Sequence, residues 1–326
     1  MTNTQTKKKT ILIFGISSFL GSNLAEILKN KYRIVGTYYK NIVHIPGVLA
    51  LKCDVHKKDF VQRITYIVKP DITIYAIGLS SLQNCHDNPK VADALNTAGV
   101  FNVSAAAERY NSKFIYFSSS FIFSGEDTMY REDDTPMPST VFGSNMASSE
   151  FYIQKSCLNY IIFRCCPIIG RTYNYKDSNW VEVLDRLNYE GKKIICDTKV
   201  YTGFIDIWTV VAVLEEAIER NITNRLFQLS SVDLMNKYEF SKKYLEVIKG
   251  NQSLLSKGDW KFPLNDNQAA RQNIGDECFF RLDISNARQS FKTKFPTIES
   301  AINRLSDFYS KDSSSSRNIE VGVTFI

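Results

Sequence analysis

The sequence predicts an α/β protein built on a doubly wound parallel sheet, with a smaller lobe contributed by the later part of the chain. Short, continuous apolar runs such as residues 10–14 indicate strands that are buried on both faces. These runs alternate with amphipathic helical patterns such as residues 58–68, and this alternation is typical of a parallel sheet. A chain of 326 residues, 44% of them hydrophobic, can form one large domain, or one domain with a lobe attached.

The first half of the chain contains the most regular series of predicted elements. The predicted strands share a short apolar run and lie at residues 10–14, 32–37, 48–52, 71–76, 113–118 and 159–164. The predicted helices share apolar residues at helical spacing and lie at residues 22–31, 58–68, 91–110 and 144–155. Strands that are joined through helices pair in parallel, so these elements predict the central sheet.

The second half continues the pattern less regularly. Its predicted elements are a helix at residues 180–188, an extended segment at 201–207, a helix at 207–219, a strand at 226–229 and a helix at 238–248. Two helical pieces flank Pro296 within residues 284–309. Residues 250–276 are rich in Asn, Asp, Gln and Lys, so we expect an irregular, exposed segment there.

Charge and cysteine content exclude several classes of protein. Forty basic residues stand against 34 acidic ones and are scattered, which gives no argument for a nucleic-acid partner. No apolar stretch forms a signal peptide or approaches a membrane span. We therefore expect a cytoplasmic protein without a membrane partner. No cysteine pair has metal-site or redox spacing, which predicts buried free thiols at Cys53, Cys85, Cys157, Cys165, Cys166, Cys196 and Cys278.

Residues 15–21, here named the phosphate loop, join the first strand to the first helix. Such a turn presents free backbone N–H groups and the positive end of a helix to a pyrophosphate. Gly15 and Gly21 hold the first and third places of the dinucleotide fingerprint, and Ser18 holds the middle one. A serine hydroxyl can donate to phosphate, although the serine Cβ leaves less room for the pyrophosphate to approach the backbone. A plain strand-to-helix turn is the alternative. The predicted contacts are Gly15, Ser17, Ser18, Phe19, Leu20 and Gly21.

The end of the second predicted strand bears on the choice of cofactor. Tyr38, Tyr39 and Lys40 stand where an acidic residue would bind a ribose 2′-hydroxyl. A 2′-phosphate would be tolerated better beside Tyr39 and Lys40 than beside an acidic side chain at this position. The sequence therefore favours NADP(H) over NAD(H), with a solvated loop tip as the other interpretation.

Several collinear segments resemble the dTDP-4-dehydrorhamnose reductase branch of the extended short-chain dehydrogenases, within the NAD-dependent epimerase/dehydratase superfamily. These segments are residues 53–55, 70–78, 85–89, 95–99, 114–125, 162–164, 201–206 and 281–283. The resemblance implies a Rossmann-type fold that binds NADP(H) or NAD(H). It assigns cofactor contacts to Asp54 and Val55 beside the adenine, and to Ala76, Ile77, Gly78, Asn96 and Pro167.

The resemblance also implies a layout of domains. Residues 1–9 are expected to be a disordered leader and 311–326 a flexible tail. Residues 10–165, with a return segment at about 201–230, are expected to form the dinucleotide-binding domain. Residues 166–200 and 231–310 are expected to form the smaller substrate lobe.

The family's reaction moves a hydride between a nicotinamide and a sugar carbonyl, and three side chains serve it. A Ser or Thr holds the carbonyl, a Tyr exchanges the proton, and a Lys four residues later lowers the pKa of the tyrosine; the last two share a helix face. In this sequence Ser119 keeps the hydroxyl, but Phe142 occupies the place of the tyrosine and Met146 that of the lysine. Neither replacement carries a proton to exchange. The sequence therefore predicts little reductase activity.

Other residues are candidates to replace the missing acid. Tyr152 and Lys155 are three residues apart rather than four, while Tyr116, Tyr130, Tyr173 and Tyr175 could each be an acid or plain packing. The histidines His44, His56 and His86 lack metal spacing, and Ser118–Ser120 lacks the context of a hydrolase nucleophile. Glu132, Asp133 and Asp134 are interpreted as a solvated acidic loop rather than a cation site.

Three functions stay open from the sequence. The first is a non-catalytic or regulatory relative that binds NADP(H) or a nucleotide sugar. The resemblance offers a precedent, since the regulatory β subunit of methionine adenosyltransferase belongs to this family and works by binding a partner enzyme. The second is an active sugar-nucleotide reductase or epimerase that uses a different acid. The third is a scaffold without a ligand. The partner is expected to be a nucleotide sugar or an enzyme, and a homodimer is left open.

Overall fold

The computed structural model describes residues 8–172, 179–258 and 277–312. The strands of these ranges are β1 (Thr10–Phe14), β2 (Arg33–Tyr38), β3 (Leu49–Lys52), β4 (Ile72–Tyr75), β5 (Lys113–Ser119), β6 (Met129–Tyr130), β7 (Tyr160–Cys165), β8 (Ile168–Ile169), β9 (Ile194–Asp197), β10 (Val200–Thr202), β11 (Ile205–Asp206), β12 (Arg225–Leu229), β13 (Leu255–Gly258) and β14 (Cys278–Leu282). The α-helices are α1 (Phe19–Leu28), α2 (Lys58–Val68), α3 (Leu82–Asp87), α4 (Pro89–Asp93), α5 (Gly99–Arg109), α6 (Val141–Ser156), α7 (Trp180–Tyr189), α8 (Ile207–Glu219), α9 (Lys237–Val247), α10 (Ser285–Ser290) and α11 (Ile298–Asp312).

The central sheet is parallel throughout and has the order β3-β2-β1-β4-β5-β7-β12. The chain runs outward from β1 to β3 and then returns to the other side of β1 as β4, so the winding reverses between β1 and β4. All five residues of β1 are buried, because helices cover both faces of the sheet. In sheets of this kind ligands bind beyond the carboxyl ends of the strands at this reversal. The predicted α/β doubly wound fold is confirmed.

Three small parallel sheets lie outside the central one: β10-β14-β6, β8-β11 and β9-β13. Two hydrophobic clusters cover the faces of the central sheet, and a third joins α7, β9, α9 and α11. This third cluster is centred on the buried side chains of Leu184, Phe240 and Ile302. It gives the later part of the chain a core of its own. The predicted domain boundaries stay a prediction.

Several predicted elements differ from the structure. Helix α1 begins at Phe19, earlier than the predicted residue 22, because Ser18 caps it. The predicted helix at 91–110 is divided by a π-helical segment, Ala94–Ala98, between α4 and α5. Strand β13 lies inside the segment that was predicted to be irregular, where it pairs with β9. That prediction was wrong for Leu255–Gly258, and residues 259–276 lie outside the described residues.

The predicted ends of the chain need smaller corrections. The Lys9 carbonyl accepts a hydrogen bond from the N–H of Arg33 at 3.0 Å, so the chain is held against β2 from the last residues of the predicted leader. Residues 1–7 lie outside the described ranges, as do residues 313–326 of the predicted tail, which starts within the last turn of α11. All seven cysteines are buried and free, as predicted. No helix in the described ranges is long and apolar enough to cross a lipid bilayer.

Candidate functional site

The candidate site lies along the carboxyl edge of the central sheet, where its strands end. Gly15, Tyr38, Ala76 and Ser119 stand at or directly after the ends of β1, β2, β4 and β5, and Asp54 follows β3. The parallel pairing therefore brings residues that are far apart in sequence to one edge. Pro167 follows β7 at the same edge, half-buried, and its carbonyl accepts the Ile205 N–H at 3.1 Å.

The phosphate loop packs too tightly to accept side chains at its two glycines. Gly15 has φ +92°, and a Cβ there would lie 2.9 Å from the backbone of Ala76. A Cβ on Gly21 would lie 2.2 Å from the Gly15 carbonyl oxygen. Glycine alone can approach so closely or adopt the left-handed backbone without strain. Ile77 also contacts this turn through its side chain.

Ser18, in the middle place of the fingerprint, is the N-cap of α1. Its Oγ accepts the Gly21 N–H at 2.9 Å, and its carbonyl accepts the Ser22 N–H at 3.0 Å. The first N–H groups of a helix have no partner within the helix. In the described chain this leaves the N–H groups of Phe19 and Leu20 as the open donors at the positive end of α1. The Ser18 hydroxyl keeps its own proton for donation.

Asn23 and Gly170, which the sequence analysis did not identify, join the phosphate loop to the segment that follows β8. Asn23 is buried, and its Nδ2 donates to the carbonyls of Phe19 at 2.8 Å and Arg171 at 2.7 Å. Gly170 leaves room for the Phe19 ring, because a Cβ there would lie 3.1 Å from it. An asparagine inside an amphipathic helix pattern gives no local sign of this contact. Ser17, predicted as a contact, lies in the turn before Ser18 and is half-buried.

The end of β2 is open to solvent, as expected for a contact with the ribose. Tyr38 is half-buried, whereas Tyr39 is 53% exposed. The Lys40 Nζ lies 5.7 Å from the centroid of the Tyr39 ring, within reach of a cation–π interaction. A cation and a phenol thus stand together at the predicted ribose position.

Asp54 is held by the segment that follows it. Its Oδ1 accepts the backbone N–H of His56 at 3.1 Å and lies 3.0 Å from the His56 Nδ1. The side chain of Asp54 remains 23% exposed. Val55 is buried, and its carbonyl accepts the Asn102 Nδ2 of α5 at 2.9 Å. Asp54 therefore stands at the sheet edge in a fixed turn.

Asn96 fixes the backbone that follows β4. Its Oδ1 accepts the Leu79 N–H at 2.8 Å, and its Nδ2 donates to the Leu79 carbonyl at 3.0 Å. Gly78 leaves room for this side chain, since a Cβ there would lie 3.0 Å from the Asn96 Oδ1. The Ser149 Oγ of α6 donates to the Asn96 carbonyl at 2.7 Å. Asn96 belongs to the π-helical segment, a device frequent at functional sites.

The predicted catalytic-pair positions, Phe142 and Met146, lie on the first two turns of α6. The Phe142 ring meets Phe121 edge-on, with 6.4 Å between ring centroids. Met146 is 6% exposed, and its Sδ accepts a hydrogen bond from the Tyr116 hydroxyl at 3.2 Å. Both replacements are therefore packed against aromatic neighbours. Ser119 is half-buried at the end of β5, and its Oγ accepts the Phe121 N–H at 3.2 Å.

Each described tyrosine among the candidate replacement acids is buried or makes other contacts. Tyr116 is buried beneath α6, and burial raises its pKa well above the usual value. The Tyr130 hydroxyl accepts the N–H groups of Gly125 and Glu126 at 3.0 and 2.8 Å. Tyr152 stacks on Phe101, with 4.0 Å between centroids. Tyr173 and Tyr175 lie outside the described residues.

The interpretation of Glu132–Asp134 as a solvated loop was wrong for Glu132. Its carboxylate accepts the Gln228 N–H at 3.0 Å and the Asn286 Nδ2 at 2.5 Å, and burial raises its pKa. Its carbonyl accepts the Arg164 Nη1 at 3.0 Å. Asp133 is exposed, and Asp134 accepts the Arg131 N–H. Glu132 thus ties the loop before α6 to β7, β12 and α10.

A buried ion pair holds α6 to the sheet. Arg164 of β7 donates to both carboxylate oxygens of Glu150 of α6 at 2.9–3.1 Å, with side chains only 3% and 1% exposed. The guanidinium also lies over the Phe123 ring, 5.4 Å from its centroid. The sequence showed Arg164 only as part of a family-like segment.

Comparison with known proteins agrees with this architecture. The family model of the RmlD substrate binding domain matches residues 9–309. The probable low-salt glycan biosynthesis reductase Agl14 of Haloferax volcanii is 23% identical over 93% of this chain and 99% of its own length. Methionine adenosyltransferase 2 subunit beta of Xenopus laevis is 22% identical over 84% of this chain and 85% of its own length.

Solved structures agree at the level of the fold. The dTDP-4-dehydrorhamnose reductase of Bacillus anthracis, crystallised in complex with NADP, superposes with a TM-score of 0.76 at 18% identity. The match covers 92% of this chain and 99% of that one. The family model spans nearly all of the described sheet and lobe, as the collinear segments predicted. The chain therefore belongs to the RmlD substrate binding domain family.

Proposed function

We propose that this chain binds an NAD(P) dinucleotide at the carboxyl edge of its sheet and does not turn over a sugar-nucleotide substrate, so that it acts as a binding or regulatory relative of the family's reductases. The observation that carries the proposal is the contact of the Tyr116 hydroxyl with the Met146 sulfur. This contact fills the lysine position with an apolar, packed side chain.

Dinucleotide binding is supported by the backbone of the phosphate loop. Gly15 and Gly21 lie where a Cβ would collide with the loop itself, and Phe19 and Leu20 offer open N–H donors at the start of α1. Such a helix end attracts a phosphate through its donors and its dipole. Tyr39 and Lys40 favour NADP(H), and a relative of the same fold was crystallised with NADP. The bound nicotinamide would supply the hydride in an active member of the family.

Loss of turnover is supported by the chemistry at α6. Phe142 has no hydroxyl, and Met146 offers only a thioether, so neither exchanges a proton or holds a charge. The Tyr116 hydroxyl contacts Met146 at the lysine position, but it is buried, and burial raises its pKa. General acid–base catalysis contributes about 10²- to 10⁴-fold, so its absence leaves Ser119 without a partner able to complete the reaction.

Calorimetric titration of the nucleotide-stripped protein with NADPH, and separately with NADH, tests the binding half of the proposal. We expect a dissociation constant in the micromolar range, corresponding to about 8 kcal/mol, with NADPH the tighter ligand. Ser18→Asp is the matched variant, because it places a negative charge against the phosphates while keeping a side chain that can cap α1. Absence of heat with either dinucleotide would refute binding and leave the scaffold hypothesis.

An active reductase or epimerase is the competing function. It is favoured by the retained Ser119 hydroxyl and by the reductase named among the relatives. The test is the absorbance of NADPH bound to the protein after addition of a nucleotide sugar that bears a ring carbonyl. We expect no oxidation above the rate without protein. Oxidation that disappears in Ser119→Ala would establish the competing function and overturn ours.

A further inference from the structure

Residues 170–172, here named the bridging segment, follow β8 and lie against the phosphate loop. The buried side chain of Asn23 in α1 holds them from one side: its Nδ2 donates to the Arg171 carbonyl at 2.7 Å and to the Phe19 carbonyl at 2.8 Å. Phe19 begins α1 and offers one of the two open N–H donors at that helix end. One amide therefore joins the bridging segment to the residue that would meet a phosphate.

Helix α7 holds the bridging segment from the other side. The Glu182 Oε1 accepts the Thr172 N–H at 2.7 Å, and its Oε2 accepts the Thr172 hydroxyl at 2.7 Å and the Asn179 N–H at 3.3 Å. The Asn179 Nδ2 donates to the Gly170 carbonyl at 2.5 Å. Hydrogen bonds to a carboxylate are stronger than those between neutral groups, so Glu182 is the main anchor of the segment on this side.

The start of α7 is itself fixed by packing. Val181 and Leu184, on either side of Glu182 in the chain, are fully buried in the third hydrophobic cluster. Glu182 and Asn179 also form the capping box of α7, so the side chains that begin this helix are the ones that hold the bridging segment. The third cluster and the phosphate loop are therefore linked in two steps, from Glu182 to the bridging segment and from that segment to Asn23.

A second capping box, at the start of α9, shows what the box does without a bridging segment. The Asn236 Oδ1 accepts the Glu239 N–H at 2.9 Å, and the Glu239 Oε2 accepts the Asn236 N–H at 3.2 Å. Within the described residues the Glu239 carboxylate accepts from its own N-cap residue alone. Comparison of the two boxes therefore separates the capping of a helix from the support of the phosphate loop.

We infer that Glu182 is a positioning residue for dinucleotide binding, and that it acts through the bridging segment and Asn23 on the start of α1. The inference rests on the proposed dinucleotide site and adds to it a residue of α7 that lies far from the phosphate loop in the sequence. Without the carboxylate, the bridging segment keeps its contact with Asn23 but loses its anchor on α7. The N–H donors of Phe19 and Leu20 are then held less firmly, and phosphate binding weakens.

The test is the dissociation constant of NADPH for the native chain, Glu182→Ala, Asn23→Ala and the double variant. We expect each single variant to bind about fivefold more weakly, within the range that hydrogen-bonded networks transmit between sites. The double variant should bind no more weakly than the weaker single one, because both side chains act through the same segment. Glu239→Ala is the matched control: it breaks the capping box of α9 and should lose stability but keep the native affinity.

A second measurement needs no ligand. Hydrogen exchange of the Gly21 and Ser22 amides, which donate to Ser18, should be faster in Glu182→Ala than in the native chain and unchanged in Glu239→Ala. If Glu182→Ala does not fold, Glu182→Gln serves in both measurements, because it keeps the size of the side chain and one acceptor oxygen.

Two results would overturn the inference while leaving the proposed function intact. The first is native affinity in Glu182→Ala. The second is independent losses that multiply to about 25-fold in the double variant, since these would mean that Glu182 and Asn23 do not act through one segment. If the native chain binds no dinucleotide, the proposed function fails, and the inference fails with it.

Discussion

The two ends of the candidate site depend on different parts of the chain, the backbone at one end and side chains at the other. At the phosphate loop the features that matter are backbone features: two glycines in tight contact and a capped helix end. At α6 the predicted catalytic positions are side-chain features, and they hold the apolar Phe142 and Met146. A helix end keeps its donors and dipole whatever side chains it carries, whereas acid–base chemistry ends when its functional groups are lost. Binding can therefore outlast catalysis in this fold.

Restoring the catalytic pair is the change with the largest expected effect. In Phe142→Tyr with Met146→Lys, the new ammonium would lie beside the Tyr116 hydroxyl, which can accept from it. We expect oxidation of NADPH by a carbonyl-bearing nucleotide sugar to rise by about 10²-fold or more over the native chain. The single replacements serve as controls and should gain little. A double variant that binds NADPH but stays inert would show that more than the pair has been lost.

Removing the anchor of α6 should have the next largest effect, on stability rather than binding. Arg164→Met leaves the buried Glu150 carboxylate without a partner, and we expect a loss of about 3–5 kcal/mol in the free energy of unfolding. Denaturant unfolding measures this loss. Arg131→Met is the matched control, because its ion pair with Asp133 is exposed and long at 3.7 Å; its effect should stay within about 1 kcal/mol. Equal losses in the two variants would contradict the assigned role of the buried pair.

A larger side chain in the phosphate loop tests the other end of the candidate site. A Cβ in Gly21→Ala would press on the Gly15 carbonyl and force the loop to open. We expect dinucleotide affinity to fall about tenfold or more, because the N–H donors no longer converge on one phosphate. Gly191→Ala, at an open left-handed position, should reduce stability without changing affinity. Unchanged binding in Gly21→Ala would place the ligand elsewhere.

The smallest expected effect separates the two roles of Ser18. Ser18→Ala removes the cap and should lower the free energy of unfolding by about 1 kcal/mol, whereas Ser18→Gly should lower it by only a few tenths. Ser18→Gly also removes the Cβ and completes the three-glycine fingerprint, so we expect two- to fivefold tighter dinucleotide binding, a gain below about 1 kcal/mol. Weaker binding in Ser18→Gly would mean that the hydroxyl itself contacts phosphate.

The sequence predicts the elements of the fold more completely than it predicts the contacts of the site. The bounds of α2 and α8 match their predictions, because apolar periodicity is a local signal. The short strands β9 and β13 were not predicted. Their pairing joins Ile194 to Leu255, which are far apart in the sequence, and no local pattern indicates it. The assignment of Phe142 and Met146 to the positions of the catalytic pair comes from the resemblance and stays a prediction.

Tertiary contacts within the site could not be read in the same way. The sequence around Tyr116 does not show that its hydroxyl, on β5, donates to the Met146 sulfur on α6. Glu132 resembled a solvated acidic residue because its neighbours are acidic, yet its partners Gln228 and Asn286 come from distant elements. The sequence predicts which residues form the site, and that assignment stays a prediction, whereas their hydrogen-bond partners depend on how the elements pack.

The π-helical segment Ala94–Ala98 has a consequence for how this chain tolerates insertions and deletions. A π turn inserts roughly one extra residue into an α-helix, and each residue of an α-helix turns the following side chains by about 100°. Deleting one residue before Asn96 would give a more regular helix but swing the amide away from Leu79 and Gly78. Such a deletion would make the helix more regular but disrupt the turn beside the predicted cofactor position. The π-helical segment therefore keeps the Asn96 side chain aligned with Leu79 and Gly78.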